Sequence, residues 1–414
     1  VKTPSHGQKL ARVSLALVVF GSALYPKQYG VYLVLLGLLG LLLLVGDAQL
    51  RTKRVVPVTA ALLLAYLFIS CLWSSDFRFS LVSAIVYSAI ALSAYLAAWK
   101  FTWATLIRGA SLALRAAIVV SWVLVAFDVR SSYSIASDVG FAINGLYVHS
   151  NQFATVCVLG IVTFVTEWRL KLVGKLSGVG WVVVGIATLW FTDSRTGLVV
   201  AVFAGVSGIL LVTLGRSRMS SSSLSVVSVV ALAGSVWLVL MTPLSEVSVA
   251  LGRSSDLTGR TEIWTAVIRE IGRGPWFGTG FMAAWRSNNP ATQRIWHDIG
   301  FHAGHAHNGY LDLVLQLGVV GTFLVMIILI WMVVSSVAMF SDTKSAYYGW
   351  VFAISVSQLV YNITETRITF GVVWFLIFLG YFKLQFETTS RRGCEDRPVG
   401  DDKVRAQRRR GVVR

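Results

Sequence analysis

Apolar residues fall into blocks separated by short polar stretches, near 13–25, 29–46, 55–73, 79–98, 109–127, 152–166, 177–192, 197–214, 224–242, 309–334, 347–363 and 368–384. Several are close to, or a little under, the roughly 17–25 residues that cross a bilayer as a helix. Lipid offers no partner to a backbone N–H or C=O, so runs of this kind predict helices. The pattern predicts an all-α polytopic membrane protein of about twelve transmembrane helices. It forms one transmembrane domain over 1–384, followed by a basic, unfolded tail over 385–414.

One connection breaks the rhythm. Residues 243–308 are far longer than an ordinary loop, yet they hold Trp264, Trp276, Phe277, Phe281, Trp285, Trp296 and Phe301. Over 260–271 the spacing sets Ile263, Trp264, Val267, Ile268 and Ile271 on one helical face. This predicts a short helix lying on the membrane surface or capping the bundle. Gly274-Pro275-Trp276-Phe277-Gly278-Thr279-Gly280 then ends it with turn residues.

Composition agrees with lipid as the solvent. The chain of 414 residues is 56% hydrophobic and 13% charged, with mean hydropathy +0.71, where soluble domains carry about 25% charge. Its 15 Trp suit a membrane interface. In a soluble protein a net charge of +17 would point to nucleic acid. Here much of it sits in short loops and the tail, so no nucleic-acid partner is expected. Cys71, Cys157 and Cys394 have no metal-like spacing.

The charges also orient the chain. If the N-terminus, with Lys2, Lys9 and Arg12, is cytoplasmic, the inside connections carry clusters: Arg51-Thr52-Lys53-Arg54, Lys100 with Arg108, Arg169 to Lys175, and Arg216 with Arg218. The short outside loops carry single basic residues: Lys27, Arg78, Arg130, Arg195 and Arg367. That bias places both termini in the cytoplasm and 243–308 outside. It also favours a retained first helix over a cleaved signal peptide.

The outside face is where chemistry is expected. Apart from Lys27 its basic residues are arginines, whose planar fork grips phosphate with two bonds. Arg195, in Asp193-Ser194-Arg195-Thr196-Gly197, and Arg367 sit at helix mouths, where snorkelling to water is the plain alternative. His302-Ala-Gly-His305-Ala-His307-Asn308 runs straight into an apolar helix. Three readings compete: a metal site, an imidazole acting as general base, and a polar helix cap with Asn308 at the N-cap. Asp312, one turn further on, is expected to be a buried partner for an outer-face arginine.

His307-Asn308, nine residues, then Gly318-Val-Val-Gly321 resembles the signature of the bacterial O-antigen ligase and polysaccharide polymerase superfamily. Ser194-Arg195-Thr196-Gly197 is similar to its Ser-Arg turn, and Gly259-Arg260 with Gly274–Gly280 is similar to its long outer loop. His149-Ser150-Asn151-Gln152-Phe153 and Asn362-Ile-Thr-Glu365-Thr366 resemble patterns of the exopolysaccharide-polymerase branch. That branch usually carries Lys at 150, often Glu at 316 and commonly Ser at 366, where this chain has Ser, Gln and Thr.

The resemblance implies transfer of a glycan from a lipid-pyrophosphate carrier to a second glycan, at the outer face of the cytoplasmic membrane. It implies neither cofactor nor metal. Arg195 and Arg260 would bind pyrophosphate, and His307 would orient or deprotonate the acceptor hydroxyl. Arg367, Glu365, His305, Asn308, His149 and Asn151 would line the substrate site. Donor, acceptor, membrane lipid and a chain-length regulator or export complex are the expected partners. The acceptor would be another lipid-linked glycan in a polymerase, or lipid A core in a ligase. A flippase or polyanion permease using the same arginines is the reading from a different class, and a scaffold for an export complex is a third.

Overall fold

The computed structural model describes residues 6–24, 28–46, 56–136, 140–214 and 258–395. It is almost wholly helical. In chain order the described helices are α1 (His6–Leu24), α2 (Gln28–Gly46), α3 (Val58–Ile69), α4 (Phe77–Lys100), α5 (Trp103–Ala126), α6 (Ser150–Arg169), α7 (Lys175–Phe191), α8 (Arg195–Leu214), α9 (Thr258–Ile271), α10 (Pro290–Ile299), α11 (Gly309–Thr343), α12 (Ala346–Thr364) and α13 (Gly371–Glu395). The expected block near 224–242 and the first part of the long connection lie outside the described residues.

Among the described residues four helices are both long and apolar enough to cross a bilayer by the strictest measure: α4, α5, α8 and α11. Leu33–Leu42, Val58–Trp73 and Lys175–Phe191 are shorter apolar segments. The outward faces are greasy, with Val202 67% and Phe323 63% exposed. Contiguous apolar surface of this kind belongs in lipid rather than water.

α13 packs against α1, α4, α11 and α12. Val372 to Leu379 are all buried, and Trp374 packs edge-on to Tyr87 of α4 at 5.3 Å. The apolar pattern ends near 384, but the helix continues to Glu395. Tertiary contacts extend it. Trp103 and Tyr348 donate to Glu387 at 2.8 and 2.7 Å, and Lys383 donates to the carbonyls of Ala98 and Phe101.

The connections sort themselves by end. Ser80 of α4 donates to the carbonyl of Phe281, and Arg286 pairs with Asp76, the N-cap of α4. These tie the α3–α4 connection to the long loop. Arg108 donates to the carbonyl of Leu172 and Arg391 pairs with Asp342, at the opposite end of the bundle.

The described part of the long loop carries its own small core. Ile263, Ala266 and Val267 of α9 pack with Ala284, Ile295, Ala303 and Ala306. Ile268, expected on that face, is instead 57% exposed. The neighbouring buried position is Glu270, which braces α9 to α10 through Arg294. Asn289 caps α10, Pro290 occupies its first turn and Gly300 closes it in the left-handed region. A two-stranded hairpin, β1 (Tyr133–Ala136) with β2 (Gly140–Ile143), is a feature the apolar pattern does not predict.

The glycine-rich turn has a structural partner. α11 is broken at Gly318, which has φ +65°. The amides freed there, Val319 and Val320, donate to the carbonyls of Pro275 and Trp276. In return Thr279 and Gly280 donate to the carbonyls of Leu315 and Gln316, and the Tyr66 hydroxyl reaches the carbonyl of Leu317. The loop thus replaces the hydrogen bonds the helix gives up. A Cβ on Gly318 would lie 2.2 Å from the Trp276 oxygen, and one on Gly278 2.5 Å from Gln316.

Gly318→Ala is therefore expected to destabilise the protein by at least about 2 kcal/mol, combining backbone strain with the clash. Gly205→Ala, which meets nothing within 4 Å, is expected to stay within about 1 kcal/mol of wild type. Thermal unfolding in detergent separates the two.

Candidate active site

α12 ends at Thr364, and the turn that follows carries the electrostatic centre of the molecule. Asn362, itself buried, accepts the amides of Arg367 and Ile368 on Oδ1 at 2.7 and 2.9 Å. That fold-back turns the Glu365 carboxylate inward, fully buried. Its Oε1 accepts from Asn151 at 2.7 Å and from Arg260 at 3.1 Å. Its Oε2 accepts from Arg367 at 2.7 Å, with His307 Nδ1 standing 3.8 Å away. Arg260 is held from a second side by the carbonyl of Thr364. Burial alone would raise the Glu365 pKa; the His307 imidazole and the charges of Arg367 and Arg260 outweigh it and bring it down to about 2.

The histidine segment is pinned by two tryptophans of the long loop. Trp264 donates to the carbonyl of Ala306 at 2.8 Å, and Trp296 to that of Ala303 at 2.7 Å. Asn308 caps α11 by accepting the amides of Tyr310 and Leu311. Its side-chain oxygen is therefore committed to the helix. His307, just before the cap, sits at φ +50°, as Asp193 before the Ser194-Arg195 turn sits at +51°. Left-handed backbone on a non-glycine residue is held at some cost and gathers at functional segments.

Asp312 is buried as expected, but its partners differ from the expectation of an arginine. It accepts from Trp285 Nε1 at 2.6 Å, from the Ala306 amide and from the Thr366 hydroxyl. These are neutral donors that lock the histidine loop to the Glu365 turn.

A cavity of about 550 Å³ opens beside this cluster. His149, Asn151, His305, His307, Glu365 and Arg367 all line it. Its far wall includes Ser134 and Asn144 from the hairpin region. Arg260 stands behind Glu365, one bond removed from the cavity wall. Arg195 opens α8 against α12, where Thr364 Oγ1 donates to Thr196 Oγ1 at 3.4 Å. It is near the turn but is not part of the cavity lining.

Two buried polar atoms of the lining find no hydrogen-bond partner among the described residues, His305 Nε2 and Arg367 Nε, while His307 Nδ1 faces Glu365 at 3.8 Å, beyond hydrogen-bond range. Such atoms are rare in native interiors and call for an occupant. His305, His307 and Glu365 bring three ligand atoms within 4.8 Å of one another, close enough for an ion. The same carboxylate already carries two guanidinium groups, however, and their charge opposes a further cation. An anionic ligand suits the donor set better.

Burial first, then the neighbouring His307 and the charge of Arg367, hold His305 at about 3, so it is neutral near pH 7. His149 is lowered by desolvation, Arg367 and His307.

Residues 180–326 match the O-antigen ligase family profile. The chain is also 27% identical over 274 residues to the exopolysaccharide production protein ExoQ of Rhizobium meliloti (strain 1021). That match covers 63% of this chain and 61% of the relative's length. Both findings bear out the resemblance carried by the motifs, including its exopolysaccharide side. The Asn362 fold-back, Asp312 and the two tryptophan anchors were not assigned these roles from the sequence. The aromatic density of the long loop was the one signal available for the anchors.

Acid should loosen this site. Unfolded His305 titrates near 6.5 and unfolded Glu365 near 4.5, against about 3 and about 2 when folded. Over both intervals the unfolded chain binds more protons, so stability falls as pH drops from about 6.5 toward 3 and again from 4.5 toward 2. The melting temperature is expected to decline on acidification from pH 6.5 to 4, with a shallower slope in His305→Gln. An unchanged slope would place its origin elsewhere.

Proposed function

We propose that the protein is a membrane glycosyltransferase that transfers lipid-pyrophosphate-linked glycan units at the outer face of the cytoplasmic membrane, polymerising an exopolysaccharide or O-antigen. The orphaned atoms of His305 and Arg367, gathered with His307 around one buried carboxylate, carry this reading. They ask for a ligand that combines an anion with a hydroxyl group.

The chemistry follows from charge. An acceptor sugar hydroxyl attacks the anomeric carbon; a new C–O bond forms and the bond to the pyrophosphate oxygen breaks. The hydroxyl proton passes to His307, and negative charge grows on the departing diphosphate. Glu365, 3.8 Å from His307 Nδ1, orients the ring and offsets the imidazolium that forms. Arg260 and Arg367 each spend only part of their five N–H donors on Glu365 and backbone carbonyls. In this reading the remaining donors turn to phosphate oxygens, in a site where fixed charges act without solvent reorganisation. Arg195 would approach the diphosphate from α8. Asn151 and His149 complete the wall, and Asn308 acts by fixing the start of α11.

Both termini are assigned to the cytoplasm and the cavity to the exoplasmic side, in a bundle of about twelve transmembrane helices. A chain-length regulator or export complex is the proposed protein partner. The Rhizobium relative's role in exopolysaccharide production favours polymerisation over ligation to lipid A core.

Arg195→Ala and Arg260→Ala are each expected to lower transfer by about 10²–10³-fold, and His307→Ala by about 10²–10⁴-fold, at normal membrane levels. Single repeat units on the lipid carrier should accumulate at the outer face. Accumulation on the cytoplasmic side instead would identify a transporter.

A further inference from the structure

A second charged cluster lies at the other end of the bundle, unconnected with the cavity. Asn151 opens α6 beside Glu365, and Glu167 nearly closes it, roughly 24 Å away at 1.5 Å per residue. Glu167 is buried, accepts the Ser111 hydroxyl at 2.8 Å and pairs with Arg115 of α5. Arg115 is also flanked by the rings of Phe164 and Trp181, 5.4 and 5.1 Å from its guanidinium carbon. About two turns toward the start of α5, Arg108 donates to the carbonyl of Leu172 at 2.7 Å. α1 crosses α5 at Gly109, whose missing Cβ leaves room for Leu15 and the Arg12 backbone. That crossing sets Arg12 within electrostatic reach of Arg108 and Glu167.

Arg115 pairs with Glu167, Arg12 lies within electrostatic reach of the same carboxylate, and Arg108 adds a third guanidinium beside Arg12. The Nε atoms of Arg12 and Arg115 are buried and have no partner among the described residues. Surplus positive charge among packed helices is costly unless something neutralises it. Arg108 lies level with the loop that follows α6, at the end of the bundle. We propose that Arg12, Arg108 and Arg115 form a binding site for the phosphate of an anionic phospholipid. The lipid seats its headgroup where α1, α5 and α6 meet and strengthens the packing of α1 on the bundle. Basic pockets between helices capture anionic headgroups by this same balance of charge.

The test uses the full chain in nanodiscs of phosphatidylcholine, with or without phosphatidylglycerol, and in phosphatidylcholine with millimolar inorganic phosphate. The variants are Arg12→Gln and Arg108→Gln, which leave the Arg115–Glu167 pair intact, and Lys175→Gln as a basic control outside the cluster. Phosphatidylglycerol is expected to raise the wild-type melting temperature by several degrees. That gain should be lost in the Arg12→Gln/Arg108→Gln double variant and kept in Lys175→Gln. Native mass spectrometry of the wild type should retain phosphatidylglycerol, falling at least fivefold in the double variant. An equal gain in the double variant overturns the proposal. So does a wild type that neither gains nor retains lipid, and so does a gain reproduced by inorganic phosphate alone. If the double variant does not fold, wild-type retention of phosphatidylglycerol over phosphatidylcholine decides.

Discussion

The site depends on one buried carboxylate. Glu365 has no exposure to solvent, and its two oxygens gather Asn151 from α6, Arg260 from α9, Arg367 from its own turn and His307 from the loop before α11. A lone carboxylate in that position would be prohibitively costly, and so would two guanidinium groups beside it without a counter-charge. Each group is tolerable only because the others are present. The arrangement brings four distant stretches of chain to one point.

Holding that point requires a rigid loop on a greasy bundle. The long connection achieves this with backbone hydrogen bonds and aromatic anchors. Gly318 interrupts α11, and the Pro275–Gly280 strand supplies the missing partners. Phe281 is fully buried, with its ring 5.0 Å from that of Tyr87. Trp264 and Trp296 clasp the histidine segment from above. The spaced glycines of the sequence signature are thus docking surfaces, while its histidine lines the cavity.

Much of this was legible in the residues. The helices follow the apolar blocks closely because a membrane segment must bury its backbone within itself. The short helix α9, the break at Gly274–Gly280 and the Asn308 cap follow from helical periodicity and turn chemistry. Less was legible where tertiary contact decides. Ile268 faces out because the buried stripe runs through Ile263, Ala266, Val267 and Glu270, the last paired to Arg294. Asp312 finds indole and hydroxyl donors, a choice set by distant parts of the chain. The length of α13 depends on Glu387 meeting Trp103 and Tyr348. The 133–143 hairpin is too short to leave a periodic signal.

The central claim is that fixed guanidinium charge and one imidazole drive departure of a lipid diphosphate. It is tested most directly with purified protein, a lipid-pyrophosphate oligosaccharide and a chelator. The account predicts one lipid pyrophosphate released for each glycosidic bond formed, at a rate the chelator leaves unchanged. Loss of transfer on chelation, with recovery on adding a divalent ion, would contradict it.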